Sequence, residues 1–258
     1  IEIGDRILAI HSAIEKSNPK EIILIAGKGH EDIQDYGKKK YKISDLKIVK
    51  NYKIKKIKSK KEINYQHNNF LINKITNYKL NKGFSEVSID SKSVKKGNLF
   101  LAIKGKNNDG HNYLREAITK GACQCVISKN FNKIPKNKVI KVTNTYNFLK
   151  KLAVLKRNYT NGKIIAVTGS SGKTSVKDLI GNLLNNYGKT YFSPRSFNNS
   201  YGVPLSLCNL QQEHEYGVFE IGMSRKGEID NLSKIVKPNI AIITNIAEAH
   251  IENFKSLS

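Results

Sequence analysis

Cysteine, proline and tryptophan are the scarce residues of this chain. Its 258 residues include three cysteines, five prolines, one methionine and no tryptophan. Cys123, Cys125 and Cys208 are odd in number and show no zinc-ligand spacing, which argues against a disulfide framework and a structural zinc site. Reduced thiols fit a cytoplasmic protein. No apolar run is long enough to span a membrane, so membrane insertion is not expected, and residues 1–20 lack a secretory signal pattern. Acidic residues are few as well: 21 Asp and Glu stand against 45 Lys and Arg, for a formal net charge of +24. A positive field favours small anionic substrates such as nucleotides. Nucleic acid is not an expected partner. The lysines are dispersed apart from a cluster at 38–61, arginine is scarce, and no aromatic-interleaved RNA-binding pattern is present. The joint abundance of lysine, asparagine and isoleucine reads as genomic compositional bias.

The chain does have regular alternation of elements. Residues 5–17 read as a helix with Ile7, Ala9, Ile10, Ala13 and Ile14 on its apolar side, ended by Asn18-Pro19. Glu21–Ala26 reads as a strand before the turn Gly27–Glu31. Lysine-rich sequence follows, and 51–66 is expected as a linker. From about 67, strands are expected at Glu86–Ile89, Leu99–Ile103, Gln124–Ser128 and Val139–Val142, with helices at Asn112–Lys120 and Asn147–Tyr159. Asn161-Gly162 marks a boundary. Strands at Lys163–Thr168, Thr190–Phe192, Tyr216–Ile221 and Ile240–Thr244 then alternate with helices at Thr174–Asn186, Pro204–Asn209 and Glu228–Val236. The expected fold class is α/β, with a doubly wound, mostly parallel sheet in 161–258. Ligands in such sheets bind at the carboxyl ends of the strands.

The strongest chemical signal is Ile164–Thr174. An apolar β-branched run enters Gly169-Ser170-Ser171-Gly172-Lys173-Thr174, and a helical pattern follows. Glycines let backbone N–H groups turn onto an anion, and the helix N-terminus adds positive potential. Lys173 can reach the outer phosphates of ATP or GTP, and the Thr174 hydroxyl can ligate Mg²⁺. The loop is short: Val167 stands where the common P-loop has its first glycine. Glu220 closes a strand and is placed for Mg²⁺, with an ordinary strand-end acid as the alternative. His250 follows the last strand and is either a ligand or a surface histidine.

Five ordered segments resemble the Mur ligase family. They are the loop 168–174; Ser196–Pro204, with Asn198-Asn199; Phe219–Met223 with Gly227-Glu228-Ile229; Thr244–His250; and Asp90-Ser91-Lys92, Gly97–Ala102 and Asp109-Gly110-His111 in the first half. The resemblance implies ATP-dependent amide formation with ATP and Mg²⁺. Thr174, Glu220 and His250 would hold metal. Ser91, Lys92, Asp109, Gly110, His111, Asn198 and Asn199 would bind a UDP-N-acetylmuramoyl-peptide, with D-alanyl-D-alanine as the amine. It also implies a UDP-sugar-binding domain at 67–160 and a central ATP domain at 161–258. Residues 1–50 resemble the Rossmann-like carboxyl-terminal domain of the family member that adds the third peptide residue, with Glu31 on the incoming ammonium. A piece of a fused pair of ligases, inactive by itself, is therefore expected. Three positions depart from the family pattern: Ser171 replaces a usual Asn, Lys92 a usual Arg, and Lys255 a common Gly. The alternatives are another ligase on this fold, such as a folate-polyglutamylating enzyme, or a non-catalytic nucleotide-binding fragment.

Overall fold

The computed structural model describes residues 6–16, 23–25, 33–35, 40–42, 44–76, 78, 83–105, 107–131 and 134–247. The chain divides into two compact units, Ile1–Ile63 and Asn64–Ser258.

In the first unit, α1 spans Arg6–Lys16, and β1 (Ile33–Asp35) pairs antiparallel with β2 (Lys40–Lys42). The Arg6 guanidinium grips the Asp45 carboxylate with two contacts, of 2.7 and 2.5 Å. Residues Ile23–Ile25, expected within a strand, have no regular structure. Helix α2 runs over Asp45–Ile75, so the stretch expected as a linker, 51–66, is helical. Its lysine-rich, low-hydrophobicity sequence fits a linker or a solvated surface, and the boundary between the two compact units falls inside it. Yet 38–82 contains no glycine or proline, and lysine is a good helix former, so nothing in it breaks a helix.

The second unit opens with a parallel sheet of β3 (Val87–Ser88), β4 (Leu99–Leu101), β5 (Gln124–Ile127) and β6 (Val139–Lys141), in that order. Side chains of a strand alternate between faces. Phe100, Cys125 and Ile127 therefore pack with Leu114 and Ala117 of α3 (Leu114–Thr119). Leu99, Leu101, Val126 and Ile140 face the other way, in a core with Leu71 and Ile72 of α2 and Phe148, Leu149, Leu152 and Ala153 of α4 (Thr145–Tyr159). Asn144 caps α4 by accepting from the Asn147 N–H at 2.8 Å.

A second parallel sheet follows, in the order β10-β7-β9-β8. Its strands are β7 (Lys163–Thr168), β8 (Thr190–Phe192), β9 (Tyr216–Glu220) and β10 (Ile240–Ile243). The connecting helices are α5 (Lys173–Leu184), α6 (Gly202–Asn209) and α7 (Glu228–Val236). One face, with Ile165, Val167 and Val218, is covered by Val176, Ile180 and Leu184 of α5. The other, with Ile164, Ala166 and Phe219, joins the same continuous core as α4. Helix α4 thus contributes to the cores of both sheets. Backbone-directed side chains fix the junction. Asn209 accepts from Val87 N at 2.7 Å and donates to Val87 O at 3.0 Å, and Arg157 donates to Val236 O at 2.7 Å.

Lys156 of α4 is buried and donates to Leu210 O at 3.2 Å. Burial, the main cause, lowers its pKa to about 8, against the opposing pull of Cys208 and Glu213. A lysine with a depressed folded pKa opposes folding most at low pH, where it is charged in both states. That penalty fades as pH rises from the folded value through the unfolded one. Cys125 and Cys208, with thiols pushed up by burial, act in the opposite direction above their unfolded values. The comparison with Lys156→Met isolates the lysine. The stability of the native protein relative to this variant should rise between about pH 8 and 10.5, measured by urea unfolding. A difference that stays flat over that range contradicts the assignment.

Candidate active site

Strand β7 delivers the chain to Gly169, at φ 136°, and Gly172, at φ 75°, before α5 begins. Both angles lie where only glycine is unstrained. Gly169 is constrained twice, since a Cβ there would stand 2.1 Å from Thr244 Oγ1. The chain after β10 clasps the loop from the other side. Thr244 donates to Ser171 O at 2.6 Å, Asn245 Oδ1 accepts from Ser171 N at 2.9 Å, and Ser170 Oγ donates to Ala247 O at 2.8 Å. The loop is thus held ready, with the N-terminus of a 12-residue helix opening onto it. Lys173 folds back over the loop, its ammonium 2.6 Å from Gly169 O and 3.2 Å from Ser170 O.

Parallel pairing of β7 with β9 sets Val167 opposite Glu220, which brings a carboxylate to the first turn of α5. Glu220 is 1 % exposed. A buried carboxylate needs donors. Thr174 Oγ1 donates to Oε2 at 2.8 Å, and Asn198 Nδ2 donates to Oε1 at 2.7 Å. Asn198 is held in turn by Gly222 N, which donates to its carbonyl at 2.8 Å. Asn199 accepts from Gly202 N at 2.8 Å and Tyr201 N at 3.0 Å, capping α6. A cavity of about 570 Å³ opens beside these groups, lined by Lys173, Asn198, Asn199, Met223 and Glu228 among others.

The other expected residues gather in the first sheet's half. Ser91 is buried and donates to Glu116 Oε2 at 2.8 Å, while Lys92 is exposed. Asp109 accepts from His111 N at 3.1 Å, from His111 Nδ1 at 2.6 Å and from Lys129 Nζ at 2.7 Å. Partial desolvation pushes its pKa up. The hydrogen bonds from Lys129 and His111 outweigh that push and hold the carboxyl well below the usual range. His111 is buried, and its Nε2 accepts from Ser128 N at 3.1 Å. Both ring nitrogens are engaged, so His111 shapes the turn around Gly110. A Cβ on Gly110 would stand 2.8 Å from Ile103 N. The turns carrying Ser91–Lys92 and Gly110–His111 both pack on α3. His250 and Glu31 lie outside the described residues.

Thr174 and Glu220 offer a hydroxyl and a carboxylate to a cation. Among the described residues, no group of three or more His, Cys, Asp or Glu converges on a metal position. Hard oxygen donors in that small number fit Mg²⁺, which keeps several waters and takes its remaining ligands from phosphates.

Lys177, unmarked by sequence reasoning, supports this arrangement. It is fully buried and donates to Ser193 O at 2.7 Å and Arg195 O at 2.9 Å, with Asp178 Oδ1 at 2.9 Å. Arg195 sits at φ 51°. Ser193 Oγ accepts from Glu220 N at 3.3 Å, so the lysine ties α5 to the loop that positions Glu220 and Asn198. The sequence signal was its place four residues after Lys173, but an isolated helical lysine usually reads as solvated. Lys177→Met strands both carbonyls and should lower the unfolding free energy by about 1–3 kcal/mol in denaturant titrations. A change under about 0.5 kcal/mol would show that other contacts hold the loop.

Comparison with known proteins agrees with this geometry. The profile of the Mur ligase family catalytic domain matches residues 84–157, and that of the Mur ligase middle domain matches 167–258. The UDP-N-acetylmuramoyl-tripeptide–D-alanyl-D-alanine ligase of Rickettsia prowazekii (strain Madrid E) is 46% identical over 173 residues, which are 67% of this chain and 38% of that protein. The ligase of the same name from Bacillus subtilis (strain 168) is 35% identical over 66% of this chain and 37% of its own length. Among solved structures, a crystal structure of MurF from Acinetobacter baumannii matches with a TM-score of 0.59 at 35% identity, over 67% of this chain and 38% of that one. MurF ligase from Thermotoga maritima in complex with ADP matches with a TM-score of 0.57 at 35% identity, over 67% and 40%. The chain thus spans about two fifths of the length of the relatives it matches. With its loop, its Glu220 carboxylate and both profiles in agreement, the chain belongs to the Mur ligase family.

Proposed function

We propose that the protein carrying this chain is an ATP-dependent, ADP-forming amide ligase that joins D-alanyl-D-alanine to UDP-N-acetylmuramoyl-tripeptide in the cytoplasm. The observation that carries this reading is the Thr174–Glu220–Asn198 set at the mouth of the loop, beside the cavity. Support comes from relatives whose names state that reaction and from a MurF neighbour holding ADP.

The chemistry follows from charge. An acceptor carboxylate attacks the γ-phosphorus of ATP, ADP leaves, and an acyl phosphate forms. The amine of D-alanyl-D-alanine then attacks the acyl carbon and gives up a proton, the acyl C–O bond breaks, and phosphate leaves with the bridging oxygen and the electron pair. Two anions must meet in the first step. Backbone N–H groups of Gly172, Lys173 and Thr174 at the α5 N-terminus hold the phosphates, and Lys173 swings from its own carbonyls onto the γ-phosphate oxygens. Mg²⁺, bound by Thr174, Glu220 and His250, would supply positive charge that offsets the repulsion between carboxylate and triphosphate. Asn198 keeps the Glu220 carboxylate oriented, and Asn199 holds the cavity wall through the α6 cap. Ser91, Lys92, Asp109, Gly110 and His111 form the nucleotide-sugar end, where Lys92 contributes a point charge. We further infer domain limits at 67–160 and 161–258, and a first segment, 1–50, derived from the carboxyl-terminal domain of a second ligase. The support for that segment is the sequence Gly27-Lys28-Gly29-His30-Glu31.

Lys173→Ala and Glu220→Gln, made in the full-length protein, should each lower ligation about 10²–10³-fold or more, with the circular dichroism spectrum unchanged. Phosphate release should require both UDP-N-acetylmuramoyl-tripeptide and D-alanyl-D-alanine. Near-native turnover by either folded variant, or equal turnover with a folate and glutamate, contradicts the reading.

A further inference from the structure

The cavity beside Lys173 has a second cation, Lys150, on α4. It is half-buried, and its ammonium stands 5.7 Å from the centroid of the Tyr146 ring, one turn earlier on the same helix. Tyr146 is itself fixed: its hydroxyl donates to Ser200 O at 3.2 Å, and its ring lies 4.8 Å from that of Tyr201. The lysine is therefore held over an immobilised ring. Among the described residues, no carboxylate lies within ion-pair distance of it. The carboxylate in the same wall, Glu228, accepts from Ser224 N at 2.6 Å and Arg225 N at 3.1 Å. Lys150 also lines a second cavity, of about 680 Å³, together with Lys141, Lys151, Asn144 and Asn147. It alone, among the described residues, belongs to both walls.

We propose that Lys150 reads a carboxylate of the acceptor peptide other than the one that reacts. The inference rests on the ligase reading above. The reacting carboxylate must reach the phosphate held at Lys173. In an extended peptide successive residues are about 3.3–3.6 Å apart, so a neighbouring residue's carboxylate falls inside the same cavity. Its volume of about 570 Å³ is that of a small-molecule site. The phosphates have the loop and Lys173, which leaves Lys150 as the cation without an assigned anion. An ammonium in a partly enclosed space gains more from a charged partner than one on an open surface. The specificity that results is for an acidic peptide acceptor over a neutral one.

The test is steady-state kinetics on the full-length protein with two acceptors, the natural tripeptide and one whose non-reacting carboxylates are carboxamides. Lys150→Ala should raise KM for the natural acceptor about tenfold, the size of one charge-assisted hydrogen bond, and leave KM for ATP unchanged. Lys150→Arg should restore most of the affinity. The native protein should show the raised KM on the carboxamide acceptor, and Lys150→Ala should make that KM no worse. This last comparison includes a measurement on the native protein alone, so a variant that misfolds does not remove the test. Equal KM values for native and Lys150→Ala on the natural acceptor overturn the proposal. An undiminished penalty on the carboxamide acceptor also overturns it, and assigns the lysine to the diphosphate. A native protein that ligates neither acceptor refutes the ligase reading itself.

Discussion

A buried carboxylate is the constraint around which the second sheet is organised. Glu220 sits 1 % exposed at the carboxyl end of β9, where an unpaired charge would strongly oppose folding. Its donors come from two different elements: Thr174 from the first turn of α5 and Asn198 from the segment before α6. Each donor depends on further contacts. Thr174 is set by the glycine turn before it, Asn198 by Gly222 and by a loop pinned through Lys177. The arrangement that makes the charge tolerable is also the one that leaves hard oxygen donors beside the glycine loop at the α5 N-terminus. Stability and chemistry draw on the same hydrogen bonds.

The loop and the two sheets are coupled through backbone contacts. Gly169 has room only for hydrogen where Thr244 crosses it, so the chain leaving β10 and the chain leaving β7 constrain each other. Helix α4 performs the corresponding task for the sheets. Its Leu149 and Leu152 lie in one core with Leu101 of β4 and Phe219 of β9. Its Tyr146 and Lys150 reach the cavity beside the loop.

Much of the second sheet was legible in the sequence because β-branched runs are bounded there by glycine, proline and asparagine. The strands Lys163–Thr168 and Thr190–Phe192 and the helix Glu228–Val236 have the expected limits. Thr174 and Glu220 were legible as partners because strand ends in a parallel sheet converge. Polarity alone did not reveal the secondary structure of 51–66: the stretch read as a linker is helical, since low hydrophobicity does not break a helix that lacks glycine and proline, and the boundary between the two compact units falls inside it. Ile23–Ile25 looked like a strand, yet Leu24 is 86% exposed there, and among the described residues it pairs with no strand. Lys177 and the Tyr146–Lys150 pair were invisible for another reason. Their partners, Ser193, Arg195 and Ser200, are distant in sequence and lie in loops whose paths no local pattern encodes.

In the proposed function, the site built on Gly169–Thr174 and Glu220 activates a carboxylate by phosphorylating it. The most direct measurement follows oxygen. The tripeptide acceptor would carry oxygen-18 in its reacting carboxylate, and the phosphate released by the full-length protein during ligation would be weighed by mass spectrometry. Attack of the carboxylate on the γ-phosphorus, followed by loss of phosphate with the C–O bond, transfers a single labelled oxygen into each phosphate. Unlabelled phosphate accompanying amide formation would contradict the account, because water rather than the acceptor would then have received the phosphoryl group.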